Sequence, residues 1–430
     1  MIRTLAKDLS DRVGSDVEVR GWVDASRNMA GGYRFVVVRD HTGTVQAVVD
    51  SKTVPDRIKK NDIITLSGEL IADERARQGY EIQATGVQIL ASPEGPMPVG
   101  ITERSTDQLG RVLDHRAVSL RNPKIRAIFE LQGGIITAFS DYMRSQGFFQ
   151  IWSPKIGPAG AEGGSDVFTL DYFGKPATLA QSPQLYKQIM VGSAERVFEV
   201  GFAYRAEPHD TSRHLNEYLS LDVEMGFIDG VNDLLDIEEG MLRYVVGVVA
   251  DKYAHVFEMH DVDVPIIGDA IPRMSLAEMK DELQTRYGKS KDDGKDIDPE
   301  GERLAHQFVR EEFGSDFVFL TGYPMSVRPF YTMPSATEAG GTESFDCLMR
   351  GLEITTGGQR IHDYHQMLSA MRGAGVNPDD FTGYLEAFKF GMPPHGGFGI
   401  GAERLTARFL DLDTVKEASL FPRTQNRYSP

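Results

Sequence analysis

From the N-terminus to about residue 90, apolar and polar positions alternate in short runs. Val17, Val19, Trp22 and Val23 follow an approximate period of two, and Arg34–Asp40 (RFVVVRD) is separated from Thr44–Val49 (TVQAVV) by the turn His41-Thr42-Gly43. Asp62–Leu70 and Tyr80–Leu90 add two more runs. Successive side chains point to opposite faces of a strand, so this spacing predicts half-buried strands. Five short strands with glycine at the bends predict a small closed barrel of the OB type, although the pattern alone fits another small β-module equally well.

The texture changes after Ser92–Gly100 (SPEGPMPVG), where three prolines and two glycines in nine residues mark a hinge. Asn122 can cap a helix with Pro123 at its first position. Ile125, Ile128, Phe129, Ile135, Ile136, Phe139 and Met143 then recur at helical spacing up to a stop at Gly147. FFQIWSPKI reads next as a buried strand reaching Pro154, and Val231–Tyr253 as another helix. The polar run KSKDDGKDIDPEGE, Lys289–Glu302, reads as a solvated surface insertion. The expected organisation is a barrel over 1–95, a hinge over 96–110 and a larger α+β domain over 111–430.

With 430 residues, 41% hydrophobic and 25% charged, the chain has the balance of a globular protein of two domains. It has no run of about 18 apolar residues, so no membrane span is expected, and the N-terminus carries no signal-peptide pattern. Cys347 is the sole cysteine, which excludes an internal disulfide and a thiolate zinc cluster and fits a reducing cytoplasm. The net charge of −17 argues against indiscriminate DNA binding. Residues 1–100, however, hold 13 basic and 14 acidic side chains, so the acidity belongs to the rest of the chain. A near-neutral barrel can still present a shaped RNA site.

Four blocks combine polar side chains with glycines or aromatics: Ala161-Glu162-Gly163-Gly164, QSPQLYKQ (Gln181–Gln188), Tyr204–Met225, and Gly351–Arg360 together with Gly391–Leu405. None contains a P-loop or a strand-turn-helix GxGxxG, and no Ser-His-Asp or Cys-His nucleophile stands out. Arg205 and Arg404 are natural phosphate clamps, because a guanidinium grips an oxyanion with two donors. Glu207 and Glu353, with Asp346, are hard oxygen ligands suited to Mg²⁺. Each residue alone has a plainer explanation, a surface ion pair or a turn. Their joint occurrence carries the argument.

These blocks resemble the three motifs of class II aminoacyl-tRNA synthetases in the aspartate/asparagine/lysine subgroup. The helix and strand ending at Pro154 are similar to motif 1, YRAE followed by RHLNEY to motif 2, and GIGAERL to motif 3. The absence of a large domain between motifs 2 and 3 resembles the compact archaeal-type aspartyl enzymes. The resemblance implies an antiparallel catalytic sheet flanked by helices, an N-terminal anticodon barrel, ATP and Mg²⁺, and a homodimer. Arg205, Glu207 and Arg404 would be catalytic. ATP would be held by Arg205, Ala206, Glu207, Arg213, His214, Leu215, Tyr218, Glu353 and the Gly401-Ala402-Glu403-Arg404 segment. The metal would sit on Glu353, Asp346 and Thr356, the last standing where the family typically has Ser. Glu162 and Gln184 would receive an α-ammonium group. Asp24, Arg27, Phe35, Gln46 and Arg77 would face the anticodon, with Phe35 stacking on a base unless it fills the barrel core.

Within that resemblance, Lys187 points to L-aspartate. A pocket for a second carboxylate needs cations held rigidly; Lys187 and Arg360 supply two, and Asp222 can orient Lys187. Asparaginyl relatives lack this lysine. In compact aspartyl enzymes, a Trp after GWV and a Lys shortly before the fourth or fifth strand mark enzymes restricted to tRNA(Asp), and His and Pro mark relaxed ones; neither pattern fits this chain. Here Asp24 and Arg77 occupy these places, so charging of tRNA(Asn) stays open, and the missing Trp favours the relaxed type. The rival readings are an asparaginyl enzyme, an amidating paralogue, which would lack the barrel, and a non-catalytic RNA-binding module.

Overall fold

The computed structural model describes residues 2–50, 58–158, 166–291 and 296–429. Contacts divide the chain into two units, Met1–Pro98 and Val99–Pro430. In the first, β1 (Asp16–Asn28), β2 (Tyr33–Arg39), β3 (Thr44–Asp50), β4 (Ile63–Ala72) and β5 (Tyr80–Ala91) close a barrel in the order β1-β2-β3-β5-β4. The alternation works as read: Val17, Val19, Val36, Val38, Val45, Val49, Ile64 and Leu66 fill the interior. Asp40 fixes the β2–β3 turn, its Oδ1 accepting from the N–H groups of Thr42 at 2.7 Å and Gly43 at 3.1 Å. Phe35 lies on the opposite face of β2 from Val36 and is only half-buried, so it is not a barrel-core residue.

From Val99 onward the chain belongs to the second unit. Val99 and Ile101 are buried there, and the Gly100 N–H donates to Asp107 Oδ2 at 2.7 Å. The strands of this unit are β6 (Phe149–Gln150), β7 (Ile156–Gly157), β8 (Thr169–Tyr172), β9 (Lys175–Leu179), β10 (Arg196–Tyr204) and β11 (Glu217–Gly226), followed by β12 (Arg273–Ser275), β13 (Phe317–Thr321), β14 (Ser344–Met349), β15 (Leu352–Arg360) and β16 (His395–Gly401). Eight form one sheet in the order β12-β13-β14-β15-β16-β11-β10-β6, antiparallel from β13 to β10 with one parallel strand at each edge. β7, β9 and β8 make a small separate sheet.

Helix Pro123–Ser145 is capped by Asn122, whose Oδ1 accepts from the Lys124 N–H at 3.0 Å. It packs Ile128, Leu131, Ile135, Phe139 and Met143 into a core shared with helix Val231–Lys252 and the sheet. Two expectations change. The segment after Gly147 is not a buried strand: β6 has two residues at the sheet edge, and Phe149 and Trp152 are 58% and 75% exposed. Phe148 and Ile151 are the buried positions of this segment, while Phe149 in β6 and Trp152 beyond it stay uncovered. Nor is Lys289–Glu302 wholly a surface run. Helix Pro299–Phe313 begins inside it, with Asp298 Oδ1 accepting from the Gly301 N–H at 2.7 Å, and its first turn buries Glu302. Among the described residues, no helix is long and apolar enough to cross a membrane.

Candidate active site and nucleic-acid face

β11, β15 and β16 lie side by side in the large sheet, and a cavity of about 430 Å³ is lined by their side chains and by the segments flanking them. Tyr218, Ser220 and Asp222 alternate along β11, so all three meet the cavity. Across from them, Gly399 pairs with Asp222 and with Thr356, and Gly401 with Ser220. Glycine is required in this strand for closeness rather than for an unusual backbone angle. A Cβ on Gly397 would stand 2.0 Å from the Val223 carbonyl oxygen, and one on Gly399 would stand 3.2 Å from Asp222 Oδ1.

At one end the wall is cationic. Arg205, Arg213, Arg404 and Arg328 all line it. The Arg205 guanidinium lies over the Tyr218 ring at 5.9 Å, and Arg404 Nη1 donates to the Glu353 carbonyl at 3.2 Å and to its Oε1 at 3.4 Å. Asn216 ties the loop between β10 and β11, donating to the carbonyls of Arg205 at 2.7 Å and Glu207 at 3.1 Å. Glu207 stands 3.3 Å from His214 Nε2, so it faces that imidazole. Burial, together with Arg404 and Arg213, holds the His214 pKa below its ordinary value despite Glu207.

The Thr356 hydroxyl donates to Glu353 Oε1 at 2.9 Å, and Asp346 is the cross-strand partner of Thr356. Burial pushes the Glu353 carboxyl up, but Arg404, the Thr356 hydroxyl, Arg328 and Arg205 outweigh it and leave it below its usual value. Asp346 goes the other way: burial and neighbouring Glu353 raise it to about 7 although Arg328 Nη2 donates to it at 2.9 Å. Glu403 lines the cavity while its two oxygens accept from the Leu219 N–H, at 3.0 and 3.2 Å; Ala402 is fully buried and, like Ala206, is not part of the lining. Leu215 and Gly401 do line it.

The other end holds a buried ionic network. Lys187 Nζ lies 3.0 Å from Asp222 Oδ1, 3.3 Å from Glu224 Oε2 and 3.3 Å from the carbonyls of Val223 and Phe398. Arg360 Nε donates to Glu224 Oε1 at 2.9 Å and its Nη2 to the Gly397 carbonyl at 2.9 Å. All four side chains are at most 7% exposed. Glu224, beside Asp222, completes the balance: the formal charges of Lys187, Arg360, Asp222 and Glu224 sum to zero. His395 adjoins them. Burial drops its pKa to about 4 against the pull of Glu224, and its Nδ1 meets the Pro393 carbonyl at 2.9 Å while Nε2 meets the Gln188 amide at 2.9 Å. Gln184 also lines the cavity, and its buried Nε2 has no acceptor among the described residues. Glu162 lies outside the described residues.

Sequence reasoning missed Glu224, Arg328, Asp296 and Glu302. Glu224 had a signal, since it follows Asp222 by two on one strand and so shares its face. Arg328, in SVRPFY, had none: its partners Ser344 and Asp346 are set by the fold.

On the barrel, Arg27, Phe35 and Gln46 come from three adjacent strands, with Phe35 paired to Arg27 and Val48. Gln46 Nε2 donates to Glu81 Oε2 at 2.8 Å. Asp24 stands where β1 slips register and accepts from Arg39 Nε at 2.9 Å, while Arg39 stacks over Trp22 at 5.4 Å. Arg77 is exposed in the β4–β5 loop, where the Gln78 amide donates to the Thr44 carbonyl at 2.8 Å.

Residues 17–90 match an OB-fold nucleic-acid-binding domain. Over the full chain, the protein is 44% identical to the aspartate–tRNA(Asp/Asn) ligase of Deinococcus radiodurans, covering 99% of it. It is 36% identical to the aspartate–tRNA(Asp) ligase of Pyrococcus abyssi, covering all of it. The asparaginyl-tRNA synthetase of Pyrococcus horikoshii, solved with asparaginyl-adenylate, superposes with a TM-score of 0.93 at 30% identity over 100% of both chains. Residues 110–425 match the class II tRNA synthetases for D, K and N, and the chain belongs to that family.

Proposed function

We propose that the chain is an aspartate–tRNA ligase that makes aspartyl-adenylate from L-aspartate and ATP, then passes the aspartyl group to tRNA(Asp) and also to tRNA(Asn). The observation that carries the substrate reading is Lys187 and Arg360 in the wall of the same cavity as Arg205 and Arg404. An ammonium has three protons, and Lys187 already has four acceptors within 3.3 Å. A substrate carboxylate competes with these acceptors for donors that Asp222 and Glu224 hold in place. Selection comes from preorganised donors, not from surplus positive charge.

In the first step a carboxylate oxygen of aspartate attacks the α-phosphorus, and the bond to pyrophosphate breaks. Arg205 and Arg404 hold phosphate oxygens, Tyr218 offers its ring to the purine, and the buried Gln184 amide offers a polar contact to the amino acid. In the second step a ribose hydroxyl of the tRNA terminus attacks the carbonyl and AMP leaves. The chain needs no nucleophile of its own; it supplies position and charge. Glu353, Asp346 and the Thr356 hydroxyl are hard oxygen donors of the kind Mg²⁺ takes alongside phosphate. When bound there, Mg²⁺ would neutralise phosphate charge.

The barrel face of Arg27, Phe35 and Gln46 supports an anticodon role, with Phe35 available for stacking because it stands outside the core. The 44% identity to an Asp/Asn ligase supports relaxed tRNA choice, alongside Asp24 in place of Trp. The uncovered Phe149 and Trp152 on the sheet edge support a homodimer, the partner copy covering them. Sedimentation at micromolar protein should then give twice 47.7 kDa. We assign the activity to the cytoplasm on the single, buried thiol of Cys347. The deciding experiment charges purified tRNA(Asp) and tRNA(Asn) transcripts side by side with labelled aspartate. Both should become acid-precipitable. Label on neither overturns the ligase reading, and label on tRNA(Asp) alone overturns the relaxed one.

A further inference from the structure

Glu302 lies 89 positions from Arg213 in sequence, in the segment whose polarity reads as surface, yet its carboxylate pairs with Arg213 Nη2. The two ends of this pair differ. The Glu302 side chain is 6% exposed in the first turn of helix Pro299–Phe313, whereas that of Arg213 is 24% exposed and lines the cavity. The surrounding loop does not depend on the pair for its place. Thr211 Oγ1 accepts from the Arg213 N–H at 3.1 Å, and the Ser212 carbonyl accepts from Val415 N at 3.0 Å and Thr414 Oγ1 at 3.1 Å. The backbone is thus anchored independently, and Glu302 acts on the side chain. It engages one nitrogen of a planar fork with five N–H donors, leaving the rest of the fork for an oxyanion in the cavity.

We propose that Glu302 is a positioning residue for the nucleotide: from the helix outside the motif 2 loop, it aims the Arg213 guanidinium at the triphosphate. This rests on the ATP reading of the cavity. Burying the carboxylate is costly, and burial raises the Glu302 carboxyl to about 7 against the attraction of Arg213 and Arg404. Aspartate, held at the Lys187 end, makes no use of Arg213, so the effect should fall on ATP alone.

The test is aspartate-dependent pyrophosphate exchange by the full chain across ATP and aspartate concentrations. Glu302→Ala should raise the ATP KM about tenfold, within the range that small misplacement of a binding group costs. The aspartate KM should stay unchanged, and kcat should change less than KM. Glu302→Gln, which keeps a hydrogen-bond acceptor, should fall between Glu302→Ala and wild type, and it serves as the comparison if the alanine variant does not fold. Arg213→Ala should raise the ATP KM at least as much, and adding Glu302→Ala to it should change nothing more. If Arg213→Ala raises the ATP KM and neither Glu302 variant does, or if the two effects multiply in the double variant, the positioning role is overturned. An unchanged ATP KM in Arg213→Ala overturns the nucleotide reading of Arg213 and the proposal with it.

Discussion

On the barrel, the side chains proposed to meet RNA stand on strands whose opposite faces fill an apolar core. Arg27 is exposed, Phe35 half-buried, and Gln46 and Asp24 are each held by one neighbour, Glu81 and Arg39. In the catalytic unit, by contrast, Lys187, Asp222, Glu224 and Arg360 are almost wholly removed from water and hold one another through several contacts each. The difference follows from the two tasks. Reading a base needs side chains that can meet a partner arriving from solvent, and the apolar interior supplies the rigidity. Stabilising developing charge needs dipoles fixed beforehand in a site of low dielectric, where a single missing partner is costly. Damage should therefore be global and large in the catalytic unit, and local and modest on the barrel.

The largest effect is expected from Glu224→Ala. It leaves Lys187 and Arg360 buried with one carboxylate between them, which should cost about 3–5 kcal/mol of stability in denaturant unfolding, besides abolishing aspartate activation. A loss under about 1 kcal/mol would mean that the network is better solvated than its burial indicates. Next is Arg205→Ala, which should slow adenylation at least about a hundredfold, as loss of one preorganised charge-stabilising donor does, with no change in tRNA affinity. Near-normal pyrophosphate exchange in that variant would remove Arg205 from the chemistry.

Smaller effects are expected on the barrel. Phe35→Ala and Gln46→Ala should each weaken tRNA binding by about 1–3 kcal/mol, the usual worth of one stacked or edge-read base, and leave the ATP and aspartate KM alone. A changed aspartate KM would show that the two tasks are not separable by unit.

The smallest concerns Glu238, fully buried beneath the catalytic sheet, whose carboxylate oxygens find no well-formed hydrogen bond among the described residues. Burial raises it from 4.5 to about 8, against the nearby Thr355 hydroxyl. The folded state thus keeps a proton that the unfolded chain releases. Its contribution is complete below about pH 4.5 and is lost as pH rises through about 8. Stability measured from pH 6 to 8 should fall more steeply in wild type than in Glu238→Gln, by up to about 1.4 kcal/mol per pH unit. Parallel profiles would assign the proton elsewhere.

The same contrast explains what was legible. The barrel was readable because strand alternation is local: Val36 and Val38 face inward and Phe35 outward by parity alone. Asn122-Pro123 announced its helix for an equally local reason. The motif residues Arg205, Glu353 and Arg404 were legible through resemblance, and the fold brings them to one cavity. What stayed hidden depends on long-range pairing. Asp222 and Glu224 share a face in SLDVEM, but nothing local says that Arg360, 136 positions on, will meet Glu224. Phe149 and Trp152 looked like core because apolar composition does not reveal a sheet edge. Glu302 looked like solvated surface because its neighbours in sequence are polar, while its partner Arg213 is remote.

The central claim is that the Lys187–Asp222–Glu224–Arg360 end of the cavity takes aspartate and hands it to ATP. Pyrophosphate exchange without tRNA, run with aspartate and with asparagine at equal concentration, tests it most directly. Isotope should enter ATP with aspartate and stay at background with asparagine. Exchange supported equally by asparagine, or by neither amino acid, would contradict it.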